Sequence, residues 1–177
     1  MQELRETHPD LDVHSFDESR FGTHSKIGHG WFDRGDRPRV KIKMGFENFY
    51  VYSSVNADTG EMFSLLMPNV NTDCMNIFLA EFAIQLGKRH TFLIMDRAAW
   101  HKAKALVVPR NIHIVLLPPY SPELNPVEQL WRYMKSKIIK NRIYESLEEL
   151  YSEVAALLNN LHPTLVSTVC AAKYLQN

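Results

Sequence analysis

Cysteine is scarce in this sequence: Cys74 and Cys170 are the only two in 177 residues. Two thiols build no disulfide framework, so a reducing compartment is expected. No apolar run approaches the roughly 20 residues that cross a bilayer. The start, Met1-Gln2-Glu3-Leu4, lacks the basic n-region and apolar stretch of a secretory signal. Internal repeats and low-complexity tracts are absent too. These absences point to a cytoplasmic protein with no membrane partner. A charge excess of one sign is also missing, because 20 basic residues face 20 acidic ones. Nucleic-acid binders usually carry an excess of base, so the sum alone counts against one.

The order of the charges says something different. Residues 1–18, 46–96, 121–128 and 143–177 are net acidic, whereas 19–45, 97–120 and 129–142 are net basic. Neutrality is therefore cancellation between alternating blocks. At 45% hydrophobic and 23% charged, the composition is that of one globular domain with a real core.

Periodicity divides the chain into elements. Val13 to Phe16 is strand-like and ends on Asp17-Glu18. Gly22, Gly28, Gly30 and Gly35 mark a long turn or loop region. Val40 to Val55 is β-rich, Asp58-Thr59-Gly60 is a turn, and Met62 to Met67 returns as the second strand of a hairpin. Met75, Phe78, Phe82 and Leu86 repeat at helical spacing, with Thr72 or Asp73 as cap and Gly87 as stop. Thr91 to Met95 and Ile112 to Leu117 read as two strands, parallel because a short helical crossover through Ala105 joins them. Val127, Leu130, Trp131, Met134 and Ile138 make one apolar helix face. Leu147 to Leu161 repeats the device behind a possible capping box of Ser146 and Glu149. The pattern predicts an α/β fold, a mixed sheet with flanking helices. The boundaries read from it are a tail over 1–12, a domain over 13–161 and an extension over 162–177.

Three acids stand where side chains are presented: Asp17 closing the first strand, Asp96 closing the fourth, and Glu128 in the first turn of a helix. The carboxyl ends of parallel strands are the usual edge for a site in such a sheet. Three gathered carboxylates repel one another unless a cation holds them, and an oxygen-only donor set selects Mg²⁺ or Mn²⁺. Two such ions serve phosphoryl transfer by activating the attacking oxygen and stabilising the leaving one. Plainer readings fit the same positions. Asp17 suits a solvated strand end and Asp96 a helix cap. Asn125, Pro126 and Glu128 match the first positions of a capped helix. Spacing alone leaves both sets of readings open.

A longer string bears on the choice. Leu93-Ile94-Met95-Asp96-Arg97-Ala98-Ala99-Trp100-His101-Lys102 and the segment from Leu116 through Pro118-Pro119-Tyr120-Ser121-Pro122-Glu123-Leu124-Asn125-Pro126-Val127-Glu128 to Trp131 resemble the catalytic domain of mariner-like DDE transposases. The bacterial insertion-sequence branch is the most similar. Phe16 to Phe21 resembles the first-acid segment of that family, and Trp31 to Pro38 its Trp…Gly-x-Arg-Pro stretch. The resemblance spans Val13 to Leu158. It implies an RNase H-like five-stranded mixed sheet with Asp17, Asp96 and Glu128 as catalytic, metal-binding triad. The implied chemistry is Mg²⁺-dependent cutting of transposon ends, with Mn²⁺ as substitute and two ions bound, then joining of the 3′-hydroxyl to target DNA. Two departures stand out. Arg97 occupies a position where the family often has Asn, and the 31 residues between Asp96 and Glu128 are a few fewer than expected.

On that resemblance the basic blocks become candidate DNA contacts. Arg132 and Lys135 follow Glu128 by four and seven positions and share its helix face, although an ion pair between Glu128 and Arg132 fits as well. His101, Lys102 and Lys104 follow Asp96 closely. Arg34, Arg37, Arg39, Lys41 and Lys43 suit a solvated face or a DNA-backbone track, and Trp31, Tyr120 and Trp131 read as packing. The family usually carries helix-turn-helix modules before its catalytic domain, and the twelve residues before the first strand are too few for one. End recognition is then expected from another or a frameshifted chain, in a homo-oligomer that is nucleoid-associated when bound to DNA. Two rival functions remain: a truncated DNA-binding or co-assembling regulator of transposition, and another RNase H-like nuclease.

Overall fold

In the computed structural model, residues 12–24, 45–97, 105–119, 121, 124–140 and 142–171 are described. Strand β1 (Asp12–Gly22) is followed by β2 (Asn48–Val55) and β3 (Met62–Met67), then helix α1 (Thr72–Leu86). Strands β4 (Thr91–Met95) and β5 (Ile112–Leu116) precede helices α2 (Val127–Ile138), α3 (Leu147–Asn159) and α4 (Pro163–Cys170). The five strands form one sheet in the order β3-β2-β1-β4-β5. β1 pairs antiparallel with β2 and β2 with β3, whereas β1–β4 and β4–β5 are parallel. The expected mixed five-stranded sheet is therefore present, including the parallel pair at its far edge.

Alternation along the strands builds a core on each face. Phe16, Tyr52, Leu93 and Met95 pack with Met75, Phe78 and Phe82 of α1. Phe21, Val51 and Val55 on the opposite face pack with Val127, Leu130, Trp131 and Met134 of α2 and with α3 and α4. The apolar face expected of α2 is the set of residues buried on that helix.

Local chemistry fixes the element ends. In the β2–β3 hairpin the Asn56 side chain accepts from the backbone N–H groups of Asp58 and Thr59, and Gly60 turns the chain at φ 75°. Helix α1 is capped by Asn71, whose Oδ1 accepts from Cys74 N at 2.8 Å, and not by Thr72 or Asp73. Gly87 ends it at φ 62°. Ser146 caps α3 by accepting from Glu149 N, and Glu149 accepts in turn from Glu145 N.

Three expectations need correction. β1 does not end at Asp17 but runs on to Gly22, because β2 continues to pair with it as far as Gly22–Asn48. β2 runs from Asn48, with 45–47 outside the strand although the Glu47 carbonyl accepts from Thr23 N at 3.1 Å, and 40–44 lie outside the described residues. Helix α4 was not anticipated. His162 caps it through its ring nitrogen, Pro163 opens it, and it buries Val166 and Cys170 in the α2 core. Both cysteines are buried free thiols. The glycine-rich stretch over 25–44 and the crossover helix before Ala105 lie outside the described residues.

Candidate active site

The parallel β1–β4 ladder runs from Asp12–Thr91 to Ser15–Ile94. Carried two residues further, the same register brings Asp17 level with Asp96, the residue that follows β4. Leu93 and Met95 face the α1 layer, so continued alternation directs Asp96, like Asp17, to the α2 layer. Asp17 thus sits inside β1, at the point where its two neighbours part company: β2 stays beside it and β4 stops. Past Met95 one more rung forms, Leu117 N to Met95 O at 2.8 Å. Pro118 and Pro119 then have no N–H to offer. Arg97 donates through Nε to the Leu117 carbonyl at 3.0 Å and holds the two chain ends together.

Helix α2 brings the third acid. Asn125, only 4% exposed, donates through Nδ2 to the Phe16 carbonyl at 2.9 Å and accepts from Val127 N at 3.2 Å. Its side chain therefore serves the helix start, as the sequence pattern suggests, but through Val127 N and not Glu128 N. Glu128 is exposed in that first turn. Three positions on, Trp131 is buried and its indole Nε1 donates to Asp17 Oδ2 at 2.8 Å.

Burial, first, and then the charges of Glu18 and Glu128 push the Asp17 carboxyl up to about 7, against the opposing pull of the Trp131 N–H. Crowded acids of this kind make a site short of positive charge. The donor set is all oxygen, which fits a hard divalent cation. Arg132 is exposed and no ion pair joins it to Glu128 among the described residues. Lys135 lies half-buried with Nζ 5.8 Å from the centroid of the Phe21 ring. His101, Lys102 and Lys104 lie outside the described residues.

A different acidic group marks the start of β1. Ligand atoms of Asp12, His14 and Glu61 all lie within 4.8 Å of one another, which among the described residues the Asp17, Asp96 and Glu128 carboxylates do not. That cluster already has its cation. Arg89 donates to both Glu61 oxygens at 2.8 and 2.5 Å and to Asp12 at 3.2 Å.

A family model described as DDE superfamily endonuclease matches residues 12–151. The chain belongs to this family. An uncharacterised protein, y4pE/y4sA, of Sinorhizobium fredii is 36% identical over 113 residues, covering 63% of this chain and 84% of that protein. The insertion element IS630 39 kDa protein of Shigella sonnei is 26% identical over 153 residues, covering 83% of this chain but 44% of its own length. Among solved structures, the Mos1 mariner paired end complex with Mn superposes with a TM-score of 0.74 at 14% identity, covering 96% of this chain and 56% of that one. The catalytic domain of Mos1 mariner transposase does so with a TM-score of 0.64 at 12% identity, covering 96% and 80%. The fold is thus the RNase H-like one of mariner transposase catalytic domains, carried by a chain of the DDE superfamily endonuclease family. It spans about half the length of the full transposase chains it resembles.

Sequence reasoning missed two residues of this DDE domain. Trp131 reads as packing, and it is packed, but its N–H also serves Asp17. Asn125 reads as a helix cap, whereas its amide bridges two elements. A weak signal existed for the first: a buried tryptophan N–H normally finds an acceptor, and Trp131 shares a helix face with Glu128.

Proposed function

We propose that the chain is the catalytic part of a transposase that cuts DNA at transposon ends and joins the freed 3′-hydroxyl to target DNA. Asp17, Asp96 and Glu128 are its metal-binding residues, and Mg²⁺ or Mn²⁺, as two ions, is the group they would hold. The observation that supports this reading is the parallel β1–β4 register, which runs to Ser15–Ile94 and, carried two residues on, brings Asp17 level with Asp96, with the Glu128 helix bonded to β1 at Phe16. Bound there, the ions would activate the attacking oxygen and stabilise the departing one.

The chain's own residues do the rest. The three carboxylates bind and orient the cations. Arg132 and Lys135, one and two turns beyond Glu128, neutralise phosphates of the strand to be cut, as do His101, Lys102 and Lys104 beyond Asp96. Each step exchanges one phosphorus–oxygen bond for another. Water first replaces the 3′ oxygen at the transposon end, and that 3′-hydroxyl then replaces a 3′ oxygen of the target.

The partners follow from this reading: DNA, a second copy to hold the second end, and a helix-turn-helix domain on another or a frameshifted chain. Similar solved structures are paired end complexes, one with a left transposon end and others with Mn or Mg, which supports both DNA and a divalent ion. No helix among the described residues is long and apolar enough to cross a membrane, in keeping with action on DNA in the cytoplasm.

The test is nicking of linear DNA carrying candidate transposon ends, with Mg²⁺ or Mn²⁺, by the chain alone and with a helix-turn-helix partner. Asp96→Asn and Glu128→Gln should each abolish cutting. Cleavage that survives both substitutions refutes the triad, and cleavage confined to RNA–DNA hybrids favours a different RNase H-like nuclease.

A further inference from the structure

We infer that Asn125 and Trp131 are positioning residues, a two-point clasp that sets the Glu128 helix against β1 and holds the Asp17 carboxylate in the orientation that receives a divalent cation. This rests on the reading of Asp17, Asp96 and Glu128 as metal ligands.

The two bonds bracket the acid. Phe16, whose carbonyl Asn125 Nδ2 meets at 2.9 Å, is the residue before Asp17 and the first of β1 beyond its last β4 partner. Asn125 thus bonds β1 at the point where β4 has ended and β2 continues, and its other polar atom accepts from Val127 N, at the start of the helix that carries Glu128. A buried amide satisfied at both ends has one orientation. The second bond, Trp131 Nε1 to Asp17 Oδ2 at 2.8 Å, leaves from the same helix and lands on the acid itself. Phe16 and Trp131 are buried to 0% and 3% exposure, so neither end of the clasp drifts without opening the core.

The chemistry of the donors is the informative part. At the start of the same strand, Asp12 and Glu61 are held by a guanidinium, which orients them and also offsets part of their charge. Asp17 is held by an indole, a donor without charge. A neutral donor fixes a carboxylate and leaves its charge available. That is the choice expected where the counter-charge arrives from outside, as a metal ion, and where outer hydrogen bonds set the ligand's geometry.

The test measures Mn²⁺ binding to the DNA-free chain by electron paramagnetic resonance, beside Mn²⁺-dependent nicking, for Trp131→Phe, Asn125→Ala and Asn125→Asp. Trp131→Phe keeps a large apolar ring in the core and loses only the N–H contact and some volume, so it folds and decides the matter if an Asn125 variant does not. The expected result is a Mn²⁺ dissociation constant raised about tenfold or more, with the metal midpoint of nicking moved by the same factor. Midpoints within twofold of wild type, whatever happens to thermal stability, would overturn the inference and leave both residues as structural. Asp96→Asn separates the two claims. If it leaves Mn²⁺ binding intact, the metal-site reading fails; if it abolishes binding while Trp131→Phe does not weaken it, only the clasp fails.

Discussion

Replacing Asp17 by Asn should make the metal-free chain more stable at neutral and alkaline pH, although it removes one of the three proposed metal ligands. In the folded chain the Asp17 carboxyl titrates at about 7 in place of 3.8, through burial and the nearby Glu18 and Glu128. At about 1.4 kcal/mol per tenfold change in proton affinity, ionising it costs up to ~4 kcal/mol more in the folded chain than in the unfolded one. Partial access of water to the carboxylate brings a realistic figure to about 2 kcal/mol. The raised acid binds its proton more tightly when folded. Stability is therefore untouched below the unfolded value, falls as pH climbs from about 4 to about 7, and carries the full penalty above. Asparagine has no such dependence and still offers an oxygen to the Trp131 N–H. In thermal melts with a chelator, Asp17→Asn and wild type should melt together near pH 4. Near pH 8 the variant should melt higher by roughly 4–8 °C for a chain of this size. Millimolar Mn²⁺ should raise the wild-type midpoint by mass action and leave the variant's unmoved. A difference between the two chains that stays flat from pH 4 to 8 would refute the argument. So would an Asn variant less stable at pH 8.

Three other outcomes follow from the same geometry. Gly60→Ala places a side chain at φ 75° against the Pro163 carbonyl, so it should lose more than about 1–2 kcal/mol and detach the hairpin from α4, seen as a lower denaturation midpoint and faster amide exchange in α4. Arg89→Ala removes the hydrogen bonds that, above all, hold the Glu61 carboxyl below its usual range. Wild type should therefore lose stability as pH falls through the acid range, and the variant should show a shallower fall over the same range. The loss at pH 7 should be about 1 kcal/mol or less, because the guanidinium is half exposed. Arg132→Ala and Lys135→Ala should each weaken DNA binding on all sequences alike and reduce the salt slope of log affinity by roughly one; slopes equal to wild type would remove these residues from the DNA path.

The elements that were legible in the sequence are those whose side chains repeat. The face of α2 could be read because Val127, Leu130, Trp131, Met134 and Ile138 recur at the helical period, and these are the residues it buries. The hairpin was legible because its turn is local, made by Asn56, Asp58, Thr59 and Gly60 within five residues. The extent of β1 was not. Asp17-Glu18 looks like an exit from a strand, and only β2, far along the chain from Asp17, keeps the chain extended through Phe21 and Gly22. Helix α4 escaped for a related reason. A histidine cap before a proline carries no strong pattern, and its eight residues are held by packing onto α2 more than by their own propensity.

The candidate site divides along the same line. Its three acids could be named because each reads in the sequence as closing or opening an element, although Asp17 in fact lies inside β1, and because motif segments surround two of them. What arranges them was hidden. The bond from Asn125 to Phe16 spans 109 residues and that from Trp131 to Asp17 spans 114. Periodicity concerns neighbours one turn or one rung apart, so no spacing rule reaches such a pair. Both bonds exist because the strand order places β1 at the centre of the sheet, where α2 must cross it to cover Phe21, Val51 and Val55. Topology, and not local pattern, decides which apolar-face residue meets the acid. A tryptophan is the one member of that face able both to fill the core and to donate a hydrogen bond. Packing and chemistry are then served by one side chain, which is why its sequence signature is indistinguishable from packing alone.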